Sequence, residues 1–254
     1  MKVAAGILAL MLLQAQEKVT LAWNPPAGRV LVAKSKAKIS NPGGSESSFE
    51  CDSELHPTGD SVKAGRVFTL RVDRLHSLLR EKGKESEVLF ERGKELVLKG
   101  GALEASGPFK GIGDDHQAVI SALGRRDSDQ LNDHLAESMC LGVVALQLSP
   151  DAVGVGSTWE SEVLVPFPRA DFCGTLKYTV KSIEKGKTAK IGIKAEERGR
   201  VAEADDVVWS GTGTLVYSFE DSLVREFKIS VKKTDGDDKV LASLEQEFTV
   251  ALKP

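Results

Sequence analysis

The sequence predicts an α+β protein dominated by antiparallel β structure, with curved meander sheets in two similar halves and one connecting amphipathic helix at about 127-146. Three observations lead there. Apolar and polar residues alternate in run after run, as in strands with one buried face. Charged turns carrying Gly separate the runs. Only from Asp127 to Leu146 does the apolar spacing lengthen to three or four residues, as on one face of a helix.

The chain has 254 residues, 41% hydrophobic and 28% charged, with 24 Gly and 9 Pro. That is enough for one large domain or two small ones, and the composition is that of a globular protein rather than a disordered one. Residues Met1 to Ala15 hold a single Lys2, an apolar run from Val3 to Leu13 and then Gln14-Ala15-Gln16, which reads as a secretory signal peptide. The apolar run falls short of the roughly 20 residues a bilayer span needs. Cleavage after Ala15 is expected to export the protein, periplasmic or secreted, with no integral membrane span left. Loss of Lys2 takes the formal net charge from -3 to -4, so the mature chain has no basic excess for nucleic acid. The expected organisation is a signal peptide at 1-15, a first β-rich half at 16-126, a connecting helix at 127-149 and a second β-rich half at 150-254.

Taken in order, Val19, Leu21 and Trp23 alternate, Pro25-Pro26-Ala27-Gly28 turns the chain, and Leu31, Ala33, Ala37 and Ile39 alternate again. Asn41-Pro42-Gly43-Gly44 is a turn, because Pro presets one backbone angle and Gly accepts a positive one. A third strand is expected from Ser47 to Leu55. Phe68, Leu70 and Val72 form another, and after an unassigned stretch at Leu75 to Arg80 the turn Glu81-Lys82-Gly83-Lys84 leads to Val88 and Phe90. Gly residues and Pro108 break any period between Lys99 and Lys110, which reads as loop. The helix follows, with Leu131, Leu135, Met139, Val143 and Leu146 on one face, Asp127 and Gln130 in a capping box, and Pro150 as its stop. The second half alternates more cleanly: Val163 and Val165; Leu176, Tyr178 and Val180; Ala189, Ile191, Ile193 and Ala195; Trp209, Leu215 and Tyr217; Phe227, Ile229 and Val231; and Leu244, Phe248, Val250 and Leu252. Gly211 and Gly213 fall on the apolar face of a long strand from Val207 to Phe219, which implies a sharp bend, a close neighbour, or room for an apolar ligand. The turns Glu81-Lys82-Gly83-Lys84 and Glu184-Lys185-Gly186-Lys187 are alike and raise the question of a duplication.

Familiar chemistry is missing. There is no nucleophile elbow, Walker loop, His-Glu-x-x-His helix or Cys-x-x-Cys pair. Gly154-Val155-Gly156 lacks the third Gly of a dinucleotide fingerprint and reads as a turn. His116 follows Asp114 and Asp115, yet no second ligand cluster completes a metal site, so a solvated acidic loop is the better reading. His134 beside Asp133 faces solvent, His56 precedes Pro57 in a turn, and His76 lies in the unassigned stretch. Cys140 and His134, six positions apart on a helix, point different ways and make no nucleophile and base. Trp159 and Trp209 read as core anchors. No catalytic, cofactor-binding or metal residue is therefore assigned. Of Cys51, Cys140 and Cys173 at most one pair can bridge within the chain, while a role as small buried hydrophobes stays open.

The stretch Pro150 and Val153-Gly154-Val155-Gly156-Ser157-Thr158-Trp159, then Tyr178-Thr179-Val180, Ala189-Lys190-Ile191, and Gly211-Thr212-Gly213-Thr214 leading into Phe219, resembles a family of exported, β-rich bacterial proteins catalogued only as a domain of unknown function. The resemblance covers Leu148 to Leu252 and implies export and a strand-rich fold, with no active site to transfer. Where the family often has an acidic residue before Gly, this chain has Glu220-Asp221-Ser222. The function expected is that of an extracytoplasmic, non-enzymatic protein binding an apolar ligand or an envelope protein, with a cell-envelope hydrolase and a structural surface module as alternatives.

Overall fold

A computed structural model describes residues 18–62, 65–92, 97–99, 116–121, 148–167, 170–197, 208–235 and 237–254. In chain order its strands are β1 (Leu31–Ser40), β2 (Glu46–Val62), β3 (Gly65–Glu81), β4 (Lys84–Glu91), β5 (Val97–Lys99), β6 (His116–Ser121), β7 (Thr158–Phe167), β8 (Ala170–Glu184), β9 (Thr188–Glu197), β10 (Val208–Ser218), β11 (Leu223–Thr234) and β12 (Val240–Leu252). All twelve belong to one sheet, in the order β5, β4, β3, β2, β1, β12, β11, β10, β9, β8, β7, with β6 beside the first part of β3. Every described pairing is antiparallel.

This corrects the expected α+β class. Among the described residues every element is a strand, and the helix expected at 127-146 lies outside them. The two half-sheets are corrected as well. β1 pairs with β12 along its whole length, from Leu31 opposite Leu252 to Ser40 opposite Ser243, so the two meanders are one sheet joined at their first and last strands. Alternation along a strand records which face a side chain takes, but not which distant strand lies beside it.

Several strands also differ in extent. Val19, Leu21 and Trp23 form no strand: Val19 makes a single bridge to Val153, and Leu21 and Trp23 pack into the core from an irregular segment. The unassigned stretch Leu75 to Arg80 continues β3, with Asp73 as the extra residue of a bulge opposite Asp52 and Ser53. His56 and Pro57 sit inside β2 rather than in a turn. The turn Glu81-Lys82-Gly83-Lys84 joins β3 to β4 with positive φ at Lys82 and Gly83, the two-residue geometry whose twist suits a hairpin.

One face of the sheet carries the core. A single cross-strand row runs through Val180, Ile191, Leu215, Phe227, Phe248, Ser35, Cys51, Leu75 and Phe90, each directly opposite the next, from β8 to β4. All nine are buried. Cross-strand neighbours of this kind are the unit of sheet stabilisation, and Phe227 opposite Phe248 places two rings on the second meander's side of the β1–β12 seam. Cys51 in this row is disulfide-bonded, to a cysteine whose side chain lies outside the described residues. Ser35 is the row's one hydroxyl, and its Oγ has no hydrogen-bond partner. The opposite face carries cross-strand ion pairs: Lys36 pairs with Glu50 directly opposite on β2 at 3.0 Å, Lys38 diagonally with Glu46 at 3.0 Å, and Lys228 of β11 with Glu247 directly opposite on β12 at 2.6 Å.

Gly211 and Gly213 mark the sharpest crowding. A Cβ at 211 would lie 2.2 Å from the Ser230 carbonyl oxygen, and one at 213 would lie 2.4 Å from that of Lys228. The backbone of β11 therefore fills the space on that face, which removes the apolar cavity considered there and leaves close backbone packing.

Two stability measurements test this packing. Gly213→Leu should lower the urea midpoint by an amount equivalent to about 1 to 3 kcal/mol or more, whereas Gly43→Ala, where an added Cβ meets nothing within 4 Å, should stay close to wild type. Equal small losses in both would contradict the crowding. Ser35→Ala should leave stability unchanged or raise it by about 1 kcal/mol, because it removes a buried hydroxyl with nothing to bond; a clear drop in melting temperature would show that the hydroxyl is satisfied.

Candidate functional site

Two surfaces and one charge cluster stand out, and each is built from strands rather than from a loop-borne motif. On the apolar side, the irregular segment before β1 is tied to the β10 end of the sheet. The Tyr217 hydroxyl donates to the Ala22 carbonyl at 2.8 Å and accepts from the Ala22 N–H at 3.2 Å, and the Asn24 N–H donates to the Ser222 carbonyl at 2.8 Å. These bonds draw Leu21 and Trp23 against the core. Burial raises the Tyr217 pKa, opposed by its bond to Ala22. Trp159 of β7 stacks on Tyr178 of β8 with ring centroids 5.0 Å apart, and burial pushes the Tyr178 phenol up to about 12 although Ser161 bonds its oxygen. Trp209 is buried, with the Lys233 ammonium 5.6 Å from its ring centroid. Both aromatics thus occupy the core side, where alternation put them.

On the solvated side, two open grooves lie along the strands. One, of about 490 Å³, reaches from Lys36 on β1 across β12 and β11 to Thr212 and Thr214 on β10. Because residues three strands apart share it, the polar face is concave there. The other, of about 880 Å³, lies on β8, β9 and β10 and is lined by Lys177, Lys181, Lys190 and Lys194.

The charge cluster is centred on Glu54, which alternation places on the solvated face of β2 yet which is only 7% exposed. Lys253 reaches its Oε1 at 2.6 Å, and His56 at 2.7 Å and Arg71 contact Oε2. The hydrogen bond from Lys253 lowers the Glu54 pKa, burial works against it, and His56 and Arg71 add to the lowering. With both oxygens engaged by cations, the carboxylate is a tie between β2, β3 and the residues after β12, not a poised base.

The sequence-predicted histidines separate accordingly. His56 joins the Glu54 cluster, and His76 is 2.9 Å from Glu87 across the β3–β4 pair. His116 opens β6, but its side chain, together with Asp114, Asp115, Asp133, His134 and Cys140, lies outside the described residues. Gly154-Val155-Gly156 is a turn before β7, closed by the Ser157 N–H to the Gly154 carbonyl at 3.0 Å, with φ of 89° at Gly156. Among the described residues no group of three or more His, Cys, Asp or Glu could hold a metal ion. Missed in the sequence were Glu54 with Lys253 and the lysine-lined groove. The first depends on β2 and the residues after β12 being brought together from far apart, and the second on the register of the consecutive strands β8, β9 and β10.

No family model matches the chain, and no curated protein matches it significantly. Its fold is similar to part of a solved structure of lipovitellin, described for its lipid–protein interactions, at 11% identity and a TM-score of 0.55. The match covers 91% of this chain and 25% of that one, so the chain spans about a quarter of the lipovitellin chain. At this identity the likeness is one of fold. A second structure, DynF from the dynemicin biosynthesis pathway of Micromonospora chersina, matches at 9% identity over 95% of this chain and 88% of that one, but its TM-score of 0.23 carries no argument. Among the described residues no helix is long and apolar enough to cross a membrane.

The Glu54 cluster has a pH signature. A carboxyl held below its ordinary value of 4.5 contributes stability that is present above that pH and lost as pH falls through the lowered value. Glu54→Gln should therefore destabilise the protein by about 1 to 3 kcal/mol at neutral pH, the scale of bonds to charged groups. The gap from wild type should shrink on acidification below pH 4.5. Melting temperatures across pH check it, and a gap independent of pH would mean that the charge is not what matters.

Proposed function

We propose that the chain is an exported, non-enzymatic binding protein that holds an apolar ligand against the apolar side of its sheet. The observation that carries this reading is the one-sidedness of the sheet: a row of buried residues crosses nine consecutive strands, from Val180 to Phe90, while the other face is charged. Among the described residues the non-strand segments that add to this core are those carrying Val19, Leu21 and Trp23, those carrying Leu148 and Val153, and the β10–β11 turn with Phe219. A fold shared with a protein described by its lipid–protein interactions supports the same choice of ligand. The apolar N-terminal run from Val3 to Leu13, followed by the small residue Ala15, supports export, and the strand-rich resemblance from Leu148 to Leu252 supports an extracytoplasmic setting. An apolar molecule would be retained by removal of its surface from water, at about 25 cal/mol per Å² buried.

Protein recovered from the envelope fraction should begin near Gln16 by mass spectrometry, and an organic extract of it should contain lipid. Delipidated protein should take up a fluorescent fatty-acid probe, with energy transfer from Trp23, Trp159 and Trp209, all of which pack in or against the core. Protein that yields no lipid and takes up no probe would remove the apolar-ligand reading; an intact Met1 on a cytosolic product would remove export.

A further inference from the structure

The solvated groove on β8, β9 and β10 has a charge that its surroundings lack. Its lining holds Lys177, Lys181, Lys190 and Lys194 against Glu196 alone, four cations to one anion, in a chain whose net charge is -3. The strand register arranges these residues in three rows. Lys177 of β8 lies directly opposite Lys194 of β9, which lies opposite Thr212 of β10. The next outward row is Thr179, Gly192 and Thr214. Beyond it, Lys190 lies opposite Val216, and Lys181 stands in the bulge between Val180 and Ser182.

The middle row is a floor without bulk. Gly192 has no positive φ, so its backbone does not require glycine. A Cβ there would come 2.7 Å from the Lys181 Cε, whose stem lies across the strand at this point. Glycine inside a strand marks a place where something approaches the backbone closely. Lys194 lies four residue steps along β9 from Lys190, about 13 Å of strand, and long lysine stems can close part of that span.

The two lysine pairs differ in their partners. Like charges directly opposite each other on neighbouring strands are destabilising, and at Lys177 and Lys194 this is offset by Glu160, 3.8 Å from Lys177, and by Glu196 beside Lys194. These are exposed ion pairs, which contribute little and exchange readily for another anion. Lys181 and Lys190 have no carboxylate partner among the described residues.

We propose that this groove is a binding site for a small soluble molecule with two acidic groups, of the sugar bisphosphate type. One acidic group sits between Lys181 and Lys190, the other between Lys177 and Lys194, and a ring takes the place over Gly192 that the Lys181 stem covers here, within reach of the Thr179 and Thr214 hydroxyls. The volume of about 880 Å³ falls in the range of small-molecule sites, roughly 300 to 1,000 Å³. A recessed groove of this size suits a compact ligand better than the flat surface of an anionic bilayer, so the phosphate is assigned to a soluble molecule. The site uses the face opposite the apolar core, and it stands or falls independently of the apolar-ligand reading.

Calorimetric titration of the full chain at low salt with fructose 1,6-bisphosphate, fructose 6-phosphate and fructose tests the assignment. The bisphosphate should bind about tenfold or more tighter than the monophosphate, the sugar alone should not bind, and added salt should weaken binding. Lys181→Ala/Lys190→Ala should weaken the bisphosphate about tenfold or more, and Lys181→Arg/Lys190→Arg should keep most of the affinity. Gly192→Val fills the floor without changing charge and displaces only a flexible lysine stem; it should abolish binding at an unchanged melting temperature. Lys232→Ala, on β11 outside the groove, should bind as wild type. Absence of saturable bisphosphate binding overturns the proposal, as does binding that survives both Lys181→Ala/Lys190→Ala and Gly192→Val. Capture by phosphatidylglycerol vesicles without bisphosphate binding overturns it too, assigning the lysines to a membrane surface.

Discussion

The pairing of β1 with β12 is the contact on which the rest of the structure depends. Without it the chain is two meanders, one from β1 to β5 and one from β7 to β12, each with an unpaired long edge. With it the edges vanish into one sheet, and Phe248 comes to face Ser35 in the middle of the buried row. Charge supports the same placement. β1 turns Lys34, Lys36 and Lys38 to the solvated face, and it lies between β2, which presents Glu46, Glu50 and Asp52, and β12, which presents Glu245 and Glu247. A strand with three lysines is suited to a position flanked on both sides by acidic strands. The cost of the arrangement is kinetic, since these partners are about two hundred residues apart and long loops must close before the contact forms.

From that contact follows the division of the molecule into two faces. Side chains alternate strictly along each strand, so once β1 and β12 are in register the apolar sets of both meanders fall on one side and the lysines and carboxylates on the other. At Gly211 and Gly213 the approach of β11 is close enough to exclude any side chain, while at Gly192, two strands on from β11, the missing side chain makes room on the solvated face for the Lys181 stem. The same residue type thus admits a neighbouring backbone on the apolar side and a flexible side chain on the polar side, and only its position by alternation distinguishes the two. The two proposed sites, one for an apolar molecule and one for a soluble anion, follow from these two faces and do not compete for the same residues.

Several aspects of the fold were legible in the sequence because they are local. The strands around Leu31, Val88, Leu176, Ile191, Leu215, Phe227 and Phe248 announce themselves by period two, and the turns at Lys82-Gly83 and Gly186 by residues that accept positive φ. Gly211 and Gly213 were legible as a bend or a close neighbour, but choosing between that and a cavity required the position of the Ser230 and Lys228 carbonyls. His56 looked like a turn residue because Pro57 follows it; the bulged pairing of β2 with β3 carries the strand through, and Glu54 then meets cations from β3 and from Lys253.

Local patterning establishes the set of faces: which residues are apolar together, where the chain reverses, and which familiar catalytic motifs are missing. These depend on neighbours within a few positions, where backbone geometry is nearly independent of the rest of the molecule. The tertiary structure alone decided that the two halves are one sheet, that Ser35 and Phe248 share a row, and that four lysines from β8 and β9 surround a glycine floor. The first two rest on the pairing of strands distant in sequence, and the third on the register of consecutive strands and the bulge at Lys181. The hydrogen bonds of a β ladder are made by backbone groups common to every residue, so partner and register are selected by the summed fit of side chains across the whole sheet rather than by any local signal.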